Sequence, residues 1–235
     1  GSEMCIRDRY RVNVHDADMK EVETVYGQTE QGLTIIEGNL FIKGQKPVEQ
    51  RSSYGLGEVI IDALNNGADN IVISLGGIDS FDGSIGMMQA LGVQFYNDEG
   101  ELLDAREGAQ VIKFIRRIDF SAIPQNFKDA HIKLMSDFSS KLYGKHSEIM
   151  KTYETHQMTR EKAAEIDNLI WYFSELVKNE MKIAMGPIER GGAGGGIAAL
   201  LNGLYDAEIL TSHELVNQIT CLLYTSPSPR DGLLS

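Results

Sequence analysis

Cysteine is nearly absent. The 235 residues hold 2, Cys5 and Cys221, both close to an end. The stretch between them is free of thiols, which excludes a disulfide framework and thiol catalysis and fits a reducing cytoplasm. Positive charge is scarce too: 22 Lys and Arg stand against 34 Asp and Glu, a formal net charge of −12. So acidic a chain argues against nucleic acid or an anionic membrane as its partner. No apolar run is long enough to cross a bilayer, and no secretory signal is evident. Several enzyme signatures are missing as well. There is no Gly-x-Ser-x-Gly elbow and no helical His pair at i, i+4, and no Lys-Ser or Lys-Thr follows a glycine-rich loop. The five histidines, His15, His131, His146, His156 and His213, read singly as surface or packing residues.

The two ends differ from the body. Residues 4–9 resemble a translated sequencing-library adapter, and residues 221–231 resemble the same adapter read in reverse complement. Residues 1–9 and 221–235 are therefore expected to be adapter-derived, with 10–220 a partial α/β region of a longer gene product. The two ends carry equal numbers of acidic and basic residues, so the body keeps the same net charge.

What is present centres on residues 71–87. Ile71, Val72, Ile73 and Leu75 read as a strand buried on both faces. Gly76 and Gly77 end it, and an acidic loop with Asp79, Ser80 and Asp82 follows. Gly83 and Gly86 lead into a helix at 85–91. Open α/β sheets place ligands at the carboxyl ends of such strands. Helix amides favour anions and carboxylates hold Mg²⁺, so the loop is a candidate metal–phosphate site. An ordinary βα turn with solvated carboxylates has the same residues.

The rest of the chain reads as alternating strands and helices. Residues 11–37 are β-rich, and 33–36 and 40–42 flank a hairpin signal at Glu37-Gly38-Asn39. Ser53 is placed to cap a helix ending at Gly67, and Gly55 and Gly57 suggest close packing or a ligand near its first turn. Strands are expected at 93–96, 115–120, 131–135 and 207–210, and a helix at 105–112. Thr159 caps a long helix over 160–181 whose apolar residues step at three and four, with Trp171 off that stripe. Gly191-Gly192-Ala193-Gly194-Gly195-Gly196 precedes an apolar helix at 197–204 and could cradle phosphate through bare amides.

In order and spacing these segments resemble the bacterial glycerate kinase family. Tyr54, Gly55, Gly57 and Glu58 match its Tyr-Gly-x-Gly-Glu. Gly76, Gly77, Asp82, Gly83, Gly86 and Met87 match its Gly-Gly-Ser-Ala-Thr-Asn-Asp-Gly-Gly-Ala-Gly-Met, and Gly192, Ala193, Gly195 and Gly196 match its glycine-rich stretch. The resemblance implies an α/β fold, mostly the family's inserted domain with adjoining elements of a Rossmann- or flavodoxin-like domain. It implies transfer of the γ-phosphoryl group of ATP to a hydroxyl of glycerate with Mg²⁺. Asp82 is then expected in a metal or hydroxyl contact, with Asp137 a second catalytic carboxylate. Gly76, Gly77, Asp79, Ser80 and Gly83 would bind nucleotide or substrate, with Gly192, Gly195 and Gly196 facing them across a crevice. There are departures: the family's Ser and Asn are Ile78 and Phe81, an arginine falls on His146, and a lysine falls on His156. The alternative reading is a non-catalytic relative that binds a small acid or nucleotide.

Overall fold

A computed structural model describes residues 6–225. Its elements are β1 (Ile6–His15), β2 (Glu21–Thr29), β3 (Leu33–Glu37), α1 (Tyr54–Asn65), β4 (Asn70–Ser74), α2 (Ile85–Ala90), β5 (Gln94–Tyr96) and β6 (Arg117–Asp119). They continue with α3 (Gln125–Asp129), β7 (His131–Met135), α4 (Glu148–Thr152), α5 (Arg160–Met181), α6 (Ile197–Tyr205), β8 (Glu208–Leu210) and α7 (Ser212–Thr225). Six strands form one sheet in the order β1-β2-β3-β4-β7-β8, and β5 and β6 form a small antiparallel pair. The β1–β2 and β2–β3 contacts are antiparallel, whereas β3–β4, β4–β7 and β7–β8 are parallel. The fold is α/β.

β4 lies inside the parallel part, and its apolar run explains why. Ile71, Val72 and Ile73 are buried on both faces of the sheet. Burying each such side chain contributes about 1.5–3 kcal/mol. The ladder continues past the strands: Leu75 N–H donates to Met135 O, and Ser136 N–H donates to Leu210 O. The carboxyl ends of β4, β7 and β8 thus lie side by side.

α1 packs on the end of β1 and on α2. A Cβ on Gly57 would come within 2.4 Å of Met87 O, so close packing is what this glycine serves. Glu58 Oε2 accepts from His15 N–H, and its carboxylate faces His15 Nδ1, tying the helix to the strand.

Several expectations hold and several need correcting. β7 and α5 fall where alternation and the three-four stepping put them, and Thr159 Oγ1 accepts from Lys162 N–H as a cap should. The hairpin expected about Glu37-Gly38-Asn39 does not form: β3 runs into a 3₁₀ turn, Gly38–Leu40, and its next partner is β4, in parallel. The hairpin lies instead between β2 and β3, closed by Gly32 N–H donating to Thr29 O. The helix expected over 105–112 is two 3₁₀ turns, Ala105–Glu107 and Ala109–Phe114. Trp171 is exposed. Residues 6–9, on the stretch expected to be adapter-derived, continue β1 and pair with β2. Cys5 and residues 226–235 lie outside the described residues.

Candidate active-site cleft

A cleft of about 690 Å³ opens at the carboxyl ends of β4 and β7. Gly76, Gly77 and Asp79 line it from the loop after β4, and Asp137 from the segment after β7. Lys43, Glu148, His156 and Gly194 complete its polar and backbone walls.

The expectation for Asp82 is corrected by the geometry. Its side chain turns into the protein, with no exposure at all. Oδ2 accepts from Ser53 N–H at 2.8 Å, Ser53 Oγ at 2.9 Å and Gly86 N–H at 3.2 Å, and Oδ1 accepts from Ser84 N–H at 3.0 Å. Burial pushes this carboxyl upward, opposed by the same four donors. Asp82 therefore ties the first turns of α1 and α2 together and presents no oxygen to a metal or substrate. Ser53 explains the arrangement. Its hydroxyl does not cap its own helix; it donates to Asp82 and accepts from Met87 N–H.

Nor does a crevice separate the two glycine turns. Gly83 N–H donates to Gly195 O at 3.1 Å, and a Cβ on Gly195 would come within 2.1 Å of Ser80 O. Ser80, Gly83, Gly192, Gly195 and Gly196 are all buried in or beside this seam. They carry the cleft wall and do not line it. Of the residues expected at the site, the structure brings Gly76, Gly77, Asp79 and Asp137 together around the opening.

Each group at the opening has a distinct state. Asp79 pairs with the Arg51 guanidinium, accepts from Gly44 N–H at 3.2 Å and faces His156 Nδ1 at 3.4 Å. Burial opposes its ionisation, but His156, Arg51 and the Gly44 amide outweigh this and hold it below the usual carboxylate range. Asp137 is exposed, and its Oδ1 accepts from Ser212 N–H and Ser212 Oγ. Those two donors lower its carboxyl, and its second oxygen has no hydrogen-bond partner among the described residues. Lys43 Nζ donates to Gly77 O at 2.8 Å, which sets an ammonium beside the double-glycine turn.

Sequence reasoning missed Lys43 and Glu148. Glu148 begins α4, whose cap is Ser147: Ser147 Oγ accepts from Met150 N–H. Asp167 on α5 fixes the approach by accepting from Gly144 N–H at 2.7 Å, and Ser147 N–H donates to Gly144 O. Glu148 Oε2 is buried and has no hydrogen-bond partner among the described residues. Burial pushes the carboxyl up to about 7, although the Gly195 amide, His156, the Gly194 amide and Lys151 all favour its charged form. Those amides belong to three consecutive left-handed glycines, with φ of 66° at Gly194, 66° at Gly195 and 109° at Gly196. His156, expected as a surface or packing histidine at the position of a family lysine, packs edge-on against Phe81 and also lines the cleft. A separate opening of about 770 Å³ shares Asp79, Thr155 and His156 with this cleft, so these three form a partition.

No three His, Cys, Asp or Glu converge as a metal cage among the described residues. Mg²⁺ at nucleotide sites needs only one or two carboxylates together with phosphate oxygens, and the free oxygen of Asp137 fits that pattern.

The model of the glycerate kinase family matches residues 3–225. The chain is 30% identical to a glycerate kinase of Halalkalibacterium halodurans over 72% of its own length and 44% of the relative's. It is 29% identical to a glycerate 2-kinase of Escherichia coli, over 72% and 45%. A crystal structure assigned to a glycerate kinase 2 from Salmonella typhimurium LT2 superposes with a TM-score of 0.85 at 25% identity, covering 92% of this chain and 59% of that one. The chain spans about half the length of the curated relatives it matches.

Proposed function

The chain belongs to the glycerate kinase family, and from that premise we propose that its cleft serves phosphoryl transfer from ATP to a hydroxyl of glycerate. The observation that carries the reading is the cleft itself. At the carboxyl ends of parallel strands it gathers the bare backbone of Gly76 and Gly77, the Lys43 ammonium and the free oxygen of Asp137. Phosphoryl transfer needs positioning and charge stabilisation more than covalent chemistry. Lys43 and the glycine amides suit phosphate oxygens. Asp137 would hold Mg²⁺ together with those phosphates; the ion, when bound, offsets charge on the β- and γ-oxygens. Asp82 acts here as a positioning residue, keeping the glycine turns in register beneath the cleft. A soluble cytoplasmic setting suits such a reaction; no described helix is long and apolar enough to cross a membrane.

One observation favours the second reading, a relative that binds without turnover. Ile78 and Phe81 line the cleft where the family pattern has Ser and Asn, and His156 stands in place of a lysine. A coupled ADP-release assay with ATP, Mg²⁺ and glycerate separates the two. The kinase reading expects ADP release that needs all three, with kcat/KM reduced about 100-fold in Lys43→Ala, the scale of one lost transition-state donor. Saturable binding of glycerate and ATP without ADP release would establish the second reading instead.

A further inference from the structure

We propose that Glu148 is the catalytic base of this transfer, taking the proton of the attacking hydroxyl onto its carboxylate. The assignment rests on the kinase reading. It follows from comparing the carboxylates at and beneath the cleft. Asp82 is fully enclosed, with all its bonding taken by Ser53, Ser84 and Gly86. Asp79 is bound to Arg51, Gly44 and His156, and those partners favour its charged form, which weakens it as a base. Asp137 is exposed and weakened in the same way by Ser212. Glu148 differs from all three. It lines the cleft, and among the described residues no side chain pairs with its carboxylate, which the Gly194 and Gly195 amides approach. A carboxylate held in a buried setting with few donors is costly to keep charged.

The surroundings support the role. Glu148 is held from two sides, by the Ser147 cap with the Asp167–Gly144 contact behind it and by the left-handed glycine turn. The charged groups that face it are His156, from the segment after α4, and Lys151, on α4 itself; the glycine turn presents only the Gly194 and Gly195 amides. Burial outweighs them and brings the carboxyl to about 7. A base works best when its pKa lies near the working pH, where it is both ionised and basic. The step balances as follows. The hydroxyl oxygen bonds to the γ-phosphorus while its O–H bond breaks and the proton passes to the Glu148 carboxylate. The bond from the γ-phosphorus to the bridging oxygen breaks, and its electron pair leaves with the nucleoside diphosphate. Protonated Glu148 then returns its proton to solvent.

The test pairs kinetics with a titration. In the ADP-release assay, Glu148→Gln is expected to lower kcat by about 10²–10⁴-fold, with KM for glycerate and ATP changed less than about threefold. The wild-type profile is expected to lose kcat as pH falls through about 7, a limb absent from the Gln variant. Glu148→Asp should recover part of the rate. NMR of [¹³C]glutamate-labelled chain should show a carboxyl titrating near 7 that disappears in Glu148→Gln; this wild-type measurement stands even where the variant fails to fold. An active wild type with kcat unchanged in Glu148→Gln, or no glutamate titrating above about pH 6, overturns the base assignment alone. A wild type that binds both substrates without ADP release overturns the kinase reading, and the base assignment with it.

Discussion

Two carboxylates in one loop, Asp79 and Asp82, have opposite fates. Asp82 is enclosed and holds four donors from its own chain, while Asp79 stands at the rim of the cleft among Arg51, Gly44 and His156. The same contrast separates the whole buried seam, where Gly83 meets Gly195, from the opening above it. A carboxylate whose bonds are complete serves the fold. One that lines the opening without a full set of partners, such as Asp137 or Glu148, is available for chemistry.

The sharpest way to break this contrast is at the seam. Asp82→Ala strands the Ser53, Ser84 and Gly86 amides without an acceptor, and a loss of about 3–5 kcal/mol is expected in urea unfolding. Gly195→Ala comes next. It forces a side chain into a left-handed backbone and against Ser80 O, for an expected loss of about 2–4 kcal/mol by the same measurement.

The cleft should respond differently, with pH deciding the sign. Glu148 has a native pKa of about 7, above its ordinary value of 4.5. Between those values the native state binds more protons than the unfolded state, so stability falls as pH rises through the window and levels off above it. Glu148→Gln lacks that loss. It should gain on wild type by about 3 kcal/mol at pH 8 and show no gain at pH 4, read from unfolding midpoints. The smallest effect on stability is expected from Asp137→Asn, within about 0.5 kcal/mol, because the residue is exposed.

The contrast also explains what could be read from the sequence. Local periodicity was enough for β7 and for α5 with its Thr159 cap, since both signals lie within a few residues. The partner of β3 was not legible, because pairing with β4 joins Leu33 to Asn70 across all of α1. In the site, the loop after β4 was recognisable as the end of a buried strand, and Gly76, Gly77 and Asp79 do border the opening. Whether Asp82 faces outward or inward depends on Ser53, on a different helix start, and no spacing within the loop encodes that. Glu148 was invisible for a similar reason. It sits on a five-residue helix, and its burial comes from a glycine turn contributed much later in the chain.

Thermal unfolding and MgATP binding, measured side by side on Asp82→Asn and Asp137→Asn, test the division between seam and cleft most directly. The expected result is a melting temperature lower by about 10 °C for Asp82→Asn, against a change of about 2 °C or less for Asp137→Asn with MgATP affinity weakened at least about tenfold. Unchanged stability in Asp82→Asn together with lost MgATP binding, or full MgATP affinity in Asp137→Asn, would contradict it.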